Sequence, residues 1–139
     1  MNYKRCTTVV NDSKVVVKEH RSSFELRNAA RLKIEKIQVD DCLIDDARER
    51  CDWLLVNREE KRRALYIELK GADIGKAIRQ LEATLGYTKK DFPQCKKECY
   101  VVSTQMPKHG PAVHQRIMKF YKKNKVTLLV EKGRAVVEI

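Results

Sequence analysis

Residues 50–87 read RCDWLLVNREEKRRALYIELKGADIGKAIRQLEATLGY and contain clear signals for strands followed by a helix. It contains two apolar runs, 52–56 and 64–69, separated by a charged segment. Short apolar runs bounded by charge are typical of neighbouring strands joined by an exposed turn. Beyond Gly71 the apolar residues recur at i, i+4, i+7 and i+11, which is the stripe of an amphipathic helix. These residues are Ile74, Ile78, Leu81 and Leu85.

The rest of the chain extends this pattern in both directions. An apolar alternation over 33–39 precedes the two runs, and Asp73 and Gly86 are placed to cap and to end the helix. A further strand over 98–104, a second helix opened by Pro111 and a last strand over 126–130 follow. We therefore predict an α/β fold with a mixed β-sheet flanked by helices.

The first 32 residues carry a weaker signal. Residues 15–17 are three valines that fit a strand, whereas residues 22–25 read SSFE and fit the capping box that starts a helix. The capping box favours a helix over 23–32.

Length and composition favour one domain over residues 1–139. The chain has 42% hydrophobic and 35% charged residues, enough apolar material for a core. Its longest uncharged run, 99–107, has nine residues, far fewer than the roughly 20 that a transmembrane helix needs. Five cysteines form no regular disulfide framework, which is typical of a reducing compartment. We predict a cytoplasmic protein without a membrane partner.

The charge is strongly and unevenly positive. Thirty Lys and Arg against 19 Asp and Glu give +11. Residues 1–70 hold 16 basic and 13 acidic side chains, and residues 71–139 hold 14 and 6. Such an excess suits a polyanion, above all nucleic acid, because each phosphate contact releases a counterion. The alternative is an ordinary solvated basic surface.

Charged residues cluster at the ends of the two central strands. The second run ends with Glu68 and Lys70 on one face of an extended chain, and the first run opens with Asp52. Two carboxylates, the backbone carbonyl of Leu69 and waters would give the oxygen shell that Mg²⁺ or Mn²⁺ prefers. Lys70 could orient or deprotonate the attacking water. The alternative is a surface ion pair between Glu68 and Lys70 worth about 0 to 1 kcal/mol.

Asp52 followed by Glu68-Leu69-Lys70 on the next strand, and then by a helix, resembles the PD-(D/E)xK phosphodiesterase superfamily. That superfamily includes restriction endonucleases, Holliday-junction resolvases and RecB-type nucleases. The resemblance implies a restriction-endonuclease-like core of order αβββαβ, here with an added helix and strand. It further implies Mg²⁺- or Mn²⁺-dependent hydrolysis of nucleic acid, DNA more often than RNA, and a homodimer as the common assembly.

The resemblance also assigns roles to residues. Asp52 and Glu68 correspond to metal ligands, and Lys70 to the residue that positions water or stabilises charge. Gln80 corresponds to a catalytic position on the following helix, and Tyr87 to a weaker match. Family members often carry an acidic metal ligand in the first helix, for which Glu25 is the best candidate and Glu19 the second. The sequence departs from the family name at Cys51, where the name has Pro.

A basic set on the two helices is the candidate nucleic-acid interface. It consists of Lys76, Arg116, Lys119 and Lys123. Two other functions stay open at this point: a catalytically inactive nuclease fold that binds nucleic acid, and a regulatory subunit of a larger assembly.

Overall fold

The computed structural model describes residues 1–69, 73–105 and 110–139. These residues form three helices and nine strands. The helices are α1 (Tyr3–Cys6), α2 (Ile74–Tyr87) and α3 (Gly110–Asn124). The strands are β1 (Thr7–Val10), β2 (Lys14–Glu19), β3 (Ser22–Arg27), β4 (Ile34–Gln38), β5 (Trp53–Asn57), β6 (Arg63–Glu68), β7 (Lys96–Ser103), β8 (Thr127–Lys132) and β9 (Arg134–Glu138).

Six strands form a mixed sheet in the order β1-β4-β5-β6-β7-β8. The pairs from β1 to β6 are antiparallel, and β6, β7 and β8 are parallel to one another. Parallel neighbours need a crossover, and α2 and α3 supply the two connections. The predicted mixed α/β fold is therefore confirmed.

Both faces of this sheet are buried, which explains the continuous apolar runs of β5 and β6. Leu54 and Tyr66 lie on the face covered by α2 and α3, whereas Leu55 and Leu65 lie on the opposite face. A three-stranded sheet, β2-β3-β9, covers that opposite face through Phe24 and its neighbours. The molecule thus has three layers, with the six-stranded sheet in the middle.

The helix predicted over 23–32 is wrong. Its first part is strand β3, which pairs with β2 so that Val17 faces Phe24 and Val15 faces Leu26. Apolar residues at every second position pack in this arrangement, and long-range pairing outweighs the local capping-box signal.

The predicted start of α2 is confirmed, whereas its predicted end is not. Asp73 caps α2, because its side chain accepts a hydrogen bond from the Lys76 amide, as predicted. Gly86 does not end α2, which continues to Tyr87.

The structure contains a disulfide that the sequence did not predict, between Cys6 and Cys42. The other three cysteines, Cys51, Cys95 and Cys99, are free thiols. Within the described residues no helix is long and apolar enough to cross a membrane.

Candidate metal centre and nucleic-acid interface

Asp52 lies where three strands of the large sheet meet. Its amide donates to the Ile67 carbonyl at 3.1 Å, and its carbonyl accepts from the amides of Val39 (3.1 Å) and Asp40 (3.3 Å). The register pairs Ile67 with Trp53, so two consecutive residues oppose Ile67. That two-against-one count is the pattern of a β-bulge, a device that redirects a side chain at the end of a strand. The backbone on both sides therefore holds Asp52.

The carboxylate of Asp52 is buried and fixed. Asp52 is 3% exposed, and its Oδ2 accepts a hydrogen bond from the Leu69 amide at 2.7 Å. Glu68, the residue before Leu69, closes β6 and is also 3% exposed. Since β5 and β6 are antiparallel, the start of one and the end of the other lie at the same edge of the sheet. The predicted placement of Asp52 and Glu68 is thus observed, while their catalytic roles stay predictions.

Two further carboxylates converge on Asp52. Glu19 is the last residue of β2, and Asp40 follows β4. One ligand oxygen from each of Glu19, Asp40 and Asp52 lies within 4.8 Å of the other two. We call these three residues the acidic cluster.

Arg50 organises the outer side of this cluster. Its Nε lies 2.8 Å from Asp40 Oδ1, and its Nη2 lies 3.0 Å from Asp41 Oδ1. Its Nη1 donates to the carbonyls of Asp46 and Arg48. One guanidinium therefore ties the loop after β4 to the start of β5 and offsets part of the repulsion among the converging acids.

The donor set of the acidic cluster fits a hard divalent cation. Oxygens about 2.1 Å from Mg²⁺ lie at most about 4.2 Å apart, so a small rotation of the side chains brings the observed oxygens into range. Carboxylate oxygens are also the donors that Mg²⁺ and Mn²⁺ select. Glu68 and the Leu69 carbonyl, both predicted ligands, lie at the same edge of the sheet, and the amide of Leu69 contacts Asp52.

Glu25 lies elsewhere. It occupies the middle of β3 rather than a helix, and its carboxylate bonds Arg27 and Arg134, each at 3.1 Å. Hydrogen bonds from Arg27 and then from Arg134 lower the pKa of Glu25. The structure therefore brings Glu19, the second candidate, to Asp52. The ligand role of Glu25 stays a prediction, without a position in the acidic cluster to support it.

Two predicted catalytic residues remain. Lys70 lies outside the described residues. Gln80 is half-buried on α2, one turn before Thr84, whose hydroxyl accepts from the Cys51 amide. Residues four apart share a helix face, so Gln80 lies on the side of α2 that contacts the start of β5. Tyr87, the weaker match, stacks against Arg48, with 4.9 Å from Cζ to the ring centroid.

The predicted basic residues of α3 line a groove between α2 and α3. Arg116, Lys119 and Lys123 border this groove, whose volume is about 520 Å³, together with Glu82 of α2. Lys123 bonds Glu82 at 3.0 Å, so Arg116 and Lys119 carry most of the groove's uncompensated charge. Arg116 reaches the first turn of α2, where a Cβ on Gly75 would lie 3.0 Å from its Nη1. Lys76 is exposed on that same turn. We call this groove the basic groove.

No protein-family model, curated protein or solved structure matches the chain. Function is therefore inferred from the acidic cluster, the basic groove and the fold that positions them. Sequence reasoning missed Asp40 as a site residue, although it stands directly after an apolar strand, the same signal that singled out the end of β6.

Proposed function

We propose that the chain is a metal-dependent nuclease that hydrolyses phosphodiester bonds of nucleic acid, with DNA favoured over RNA. The observation that carries the proposal is the convergence of Glu19, Asp40 and the buried Asp52 at the edge where β6 ends in Glu68. Three carboxylates with oxygens within 4.8 Å of one another repel each other. Arg50 offsets part of that repulsion through Asp40, and a divalent cation would offset more of it.

The order of elements supports the same proposal. Strands β4, β5 and β6, helix α2 and strand β7 have the order of the βββαβ part of the PD-(D/E)xK core, in which Asp52 and Glu68 would correspond to the two acidic positions. The element that would correspond to the first helix of the core differs, because β2 and β3 stand in its place.

The residues divide the work of such a reaction. Asp52, Glu68, Glu19 and Asp40 are the groups that would hold Mg²⁺ or Mn²⁺. A cation bound there would supply positive charge to the scissile phosphate and lower the pKa of a water. Gln80, one turn before Thr84 on α2, would orient substrate or water.

The basic groove supports nucleic acid as the substrate. Arg116, Lys119 and Lys123 follow one side of α3, and Lys76 extends the positive surface along α2. Because a chain of phosphates binds Lys and Arg without regard to sequence, this surface suits contacts to the backbone rather than to bases.

The test is a cleavage assay on linear, circular, branched and single-stranded DNA and on RNA, in Mg²⁺, Mn²⁺ or EDTA. Glu68→Gln and Asp52→Asn should abolish cleavage and leave the fold intact. The matched control is Glu98→Gln, which alters a buried carboxylate of the same sheet on β7. Glu25→Gln decides the predicted ligand role of Glu25.

Three outcomes are informative. Metal-dependent cleavage that is lost in both site variants and retained in the Glu98 control supports the proposal. Binding of nucleic acid without cleavage under every condition would instead indicate an inactive nuclease fold that binds nucleic acid. Absence of both binding and cleavage would indicate the regulatory subunit.

A further inference from the structure

Thr84 is a polar residue on the buried face of an amphipathic helix. It is 0% exposed and lies among the aliphatic residues that pack α2 against the large sheet. Its hydroxyl donates to the Gln80 carbonyl at 2.9 Å, one turn back along the helix. A buried threonine that bonds its own helix in this way slightly destabilises the helix, so packing alone would favour an apolar residue.

The hydroxyl has a second partner outside the helix. Thr84 Oγ1 accepts a hydrogen bond from the Cys51 amide at 2.9 Å, and both residues are fully buried. Cys51 directly precedes Asp52. The amide of Cys51 can only donate and the hydroxyl donates to the Gln80 carbonyl, so one hydroxyl joins α2 to the backbone before β5.

The C-cap residue of α2 makes a similar pair of contacts, one of them to β6. Thr88, also 0% exposed, donates through its hydroxyl to the Thr84 carbonyl at 2.8 Å and lies 2.5 Å from the Tyr66 hydroxyl. Tyr66 stands two residues before Glu68 on β6. Thr84 contacts the backbone beside an acidic-cluster residue, whereas Thr88 contacts the tip of a side chain.

We infer that Thr84 is a positioning residue, whose hydroxyl anchors the Cys51 amide and thereby fixes where the Asp52 carboxylate lies relative to Leu69 and the acidic cluster. The metal-binding consequence of this inference rests on the proposed function. The positional consequence does not, because the bond from the Leu69 amide to Asp52 Oδ2 exists without a cation.

Three variants separate position from stability. Thr84→Val keeps the shape and β-branching and removes the hydroxyl, and Thr84→Ser keeps the hydroxyl. Thr88→Val is the matched control, since it removes a buried threonine hydroxyl four residues away, at the C-cap of the same helix. Should Thr84→Val fail to fold, Thr84→Ala replaces it, because it removes the side chain without adding a methyl group.

The first measurement is amide hydrogen exchange of Leu69 in the metal-free protein, compared with amides in the middle of β6. Thr84→Val should lower Leu69 protection by roughly tenfold relative to those amides, and Thr84→Ser and Thr88→Val should leave the ratio unchanged. The second measurement is Mn²⁺ affinity by titration. Loss of a group that hydrogen-bonds to a metal ligand typically weakens metal affinity by about 10- to 100-fold. Thr84 acts one step further away, through Cys51, so we expect Thr84→Val to weaken Mn²⁺ affinity by about 10-fold.

The two measurements distinguish two kinds of failure. Unchanged Leu69 protection in a folded Thr84→Val protein overturns the inference, whether or not the wild type cleaves DNA. Equal losses in the Thr84→Val and Thr88→Val proteins also overturn it, because the effect is then one of general stability. Selective loss of Leu69 protection in a protein that binds no Mn²⁺ supports the positioning role and contradicts the proposed function.

Discussion

Removal of the Cys6–Cys42 disulfide is the sharpest test of how the N-terminal part of the chain is held. The bond joins the end of α1 to the loop after β4, across a sequence separation of 36 residues. The segment it encloses includes the β2–β3 hairpin and Asp40. In the variant Cys6→Ala/Cys42→Ala the unfolded chain regains the freedom that the cross-link removed.

The magnitude follows from loop-closure entropy. A closed loop of this length restricts the unfolded state by about 13 cal/mol/K, which corresponds to about 4 kcal/mol at 25 °C. For a chain of 139 residues a change of that size lowers Tm by roughly 13 °C. Most of this loss of stability comes from the greater entropy of the unfolded chain, so we expect the folded double variant to keep the same strands.

Urea unfolding of the oxidised wild type, the reduced wild type and the double variant measures this contribution. The reduced wild type should match the double variant, and Cys95→Ala, which removes a free thiol, should match the oxidised wild type. Alkylation of the unfolded, unreduced protein should label three cysteines. A free energy of unfolding of the double variant within about 1 kcal/mol of that of the oxidised wild type would show that loop closure does not contribute the expected stability.

Three other predictions concern one buried carboxylate and the basic groove. Burial would raise the pKa of Glu98, but the hydrogen bonds from Arg63 and Tyr100 outweigh it, so the pKa lies below its usual 4.5. The ionised carboxylate therefore stabilises the fold above pH 4.5 and loses that effect as the pH falls. The stability gap between wild type and Glu98→Gln in urea should shrink in acid. Arg116→Ala combined with Lys119→Ala should weaken DNA binding and reduce the salt slope by about 2 in filter-binding assays, and an unchanged slope would exclude phosphate contacts. Gly75→Ala should raise the free energy of unfolding by up to about 1 kcal/mol, measured in urea. Its methyl group should also displace the Arg116 guanidinium and weaken DNA binding, measured by filter binding.

The central part of the fold is predictable because local signals there agree with the tertiary structure. The period changes from strand to helix at the end of β6, and Asp73 caps α2 as its position suggests. The N-terminal region lacks that agreement. Ser22 to Glu25 have the local pattern of a helix start, and only the pairing of Phe24 with Val17 shows that the segment is a strand. A contact between separate strands cannot be inferred from either strand alone.

The candidate site likewise contains residues that the sequence predicts and residues that it does not. Asp52 and Glu68 are predictable because each borders an apolar run, and adjacent antiparallel strands bring such borders together. Glu19 reaches Asp52 because β2 and β3 form a hairpin on the other face of the sheet, whereas the sequence pattern predicted a helix over 23–32 in place of β3. The helix prediction therefore also led to Glu25 as the preferred acidic ligand. One error about secondary structure accounts for one misplaced site residue.

The charge distribution connects the two proposed parts of the site. The whole chain carries +11, yet Glu19, Asp40 and Asp52 gather at one edge of the sheet. At about 0.1 M salt, fields between exposed charges extend about 10 Å, far enough for the positive surface to attract a phosphate backbone before contact. The carboxylates act over a few ångströms, within the coordination shell of a cation. Added salt should therefore weaken nucleic-acid binding at concentrations where Mn²⁺ binding to the partly buried cluster is nearly unchanged. Equal salt dependence of the two affinities would mean that the cluster is no more protected from solvent than the basic groove.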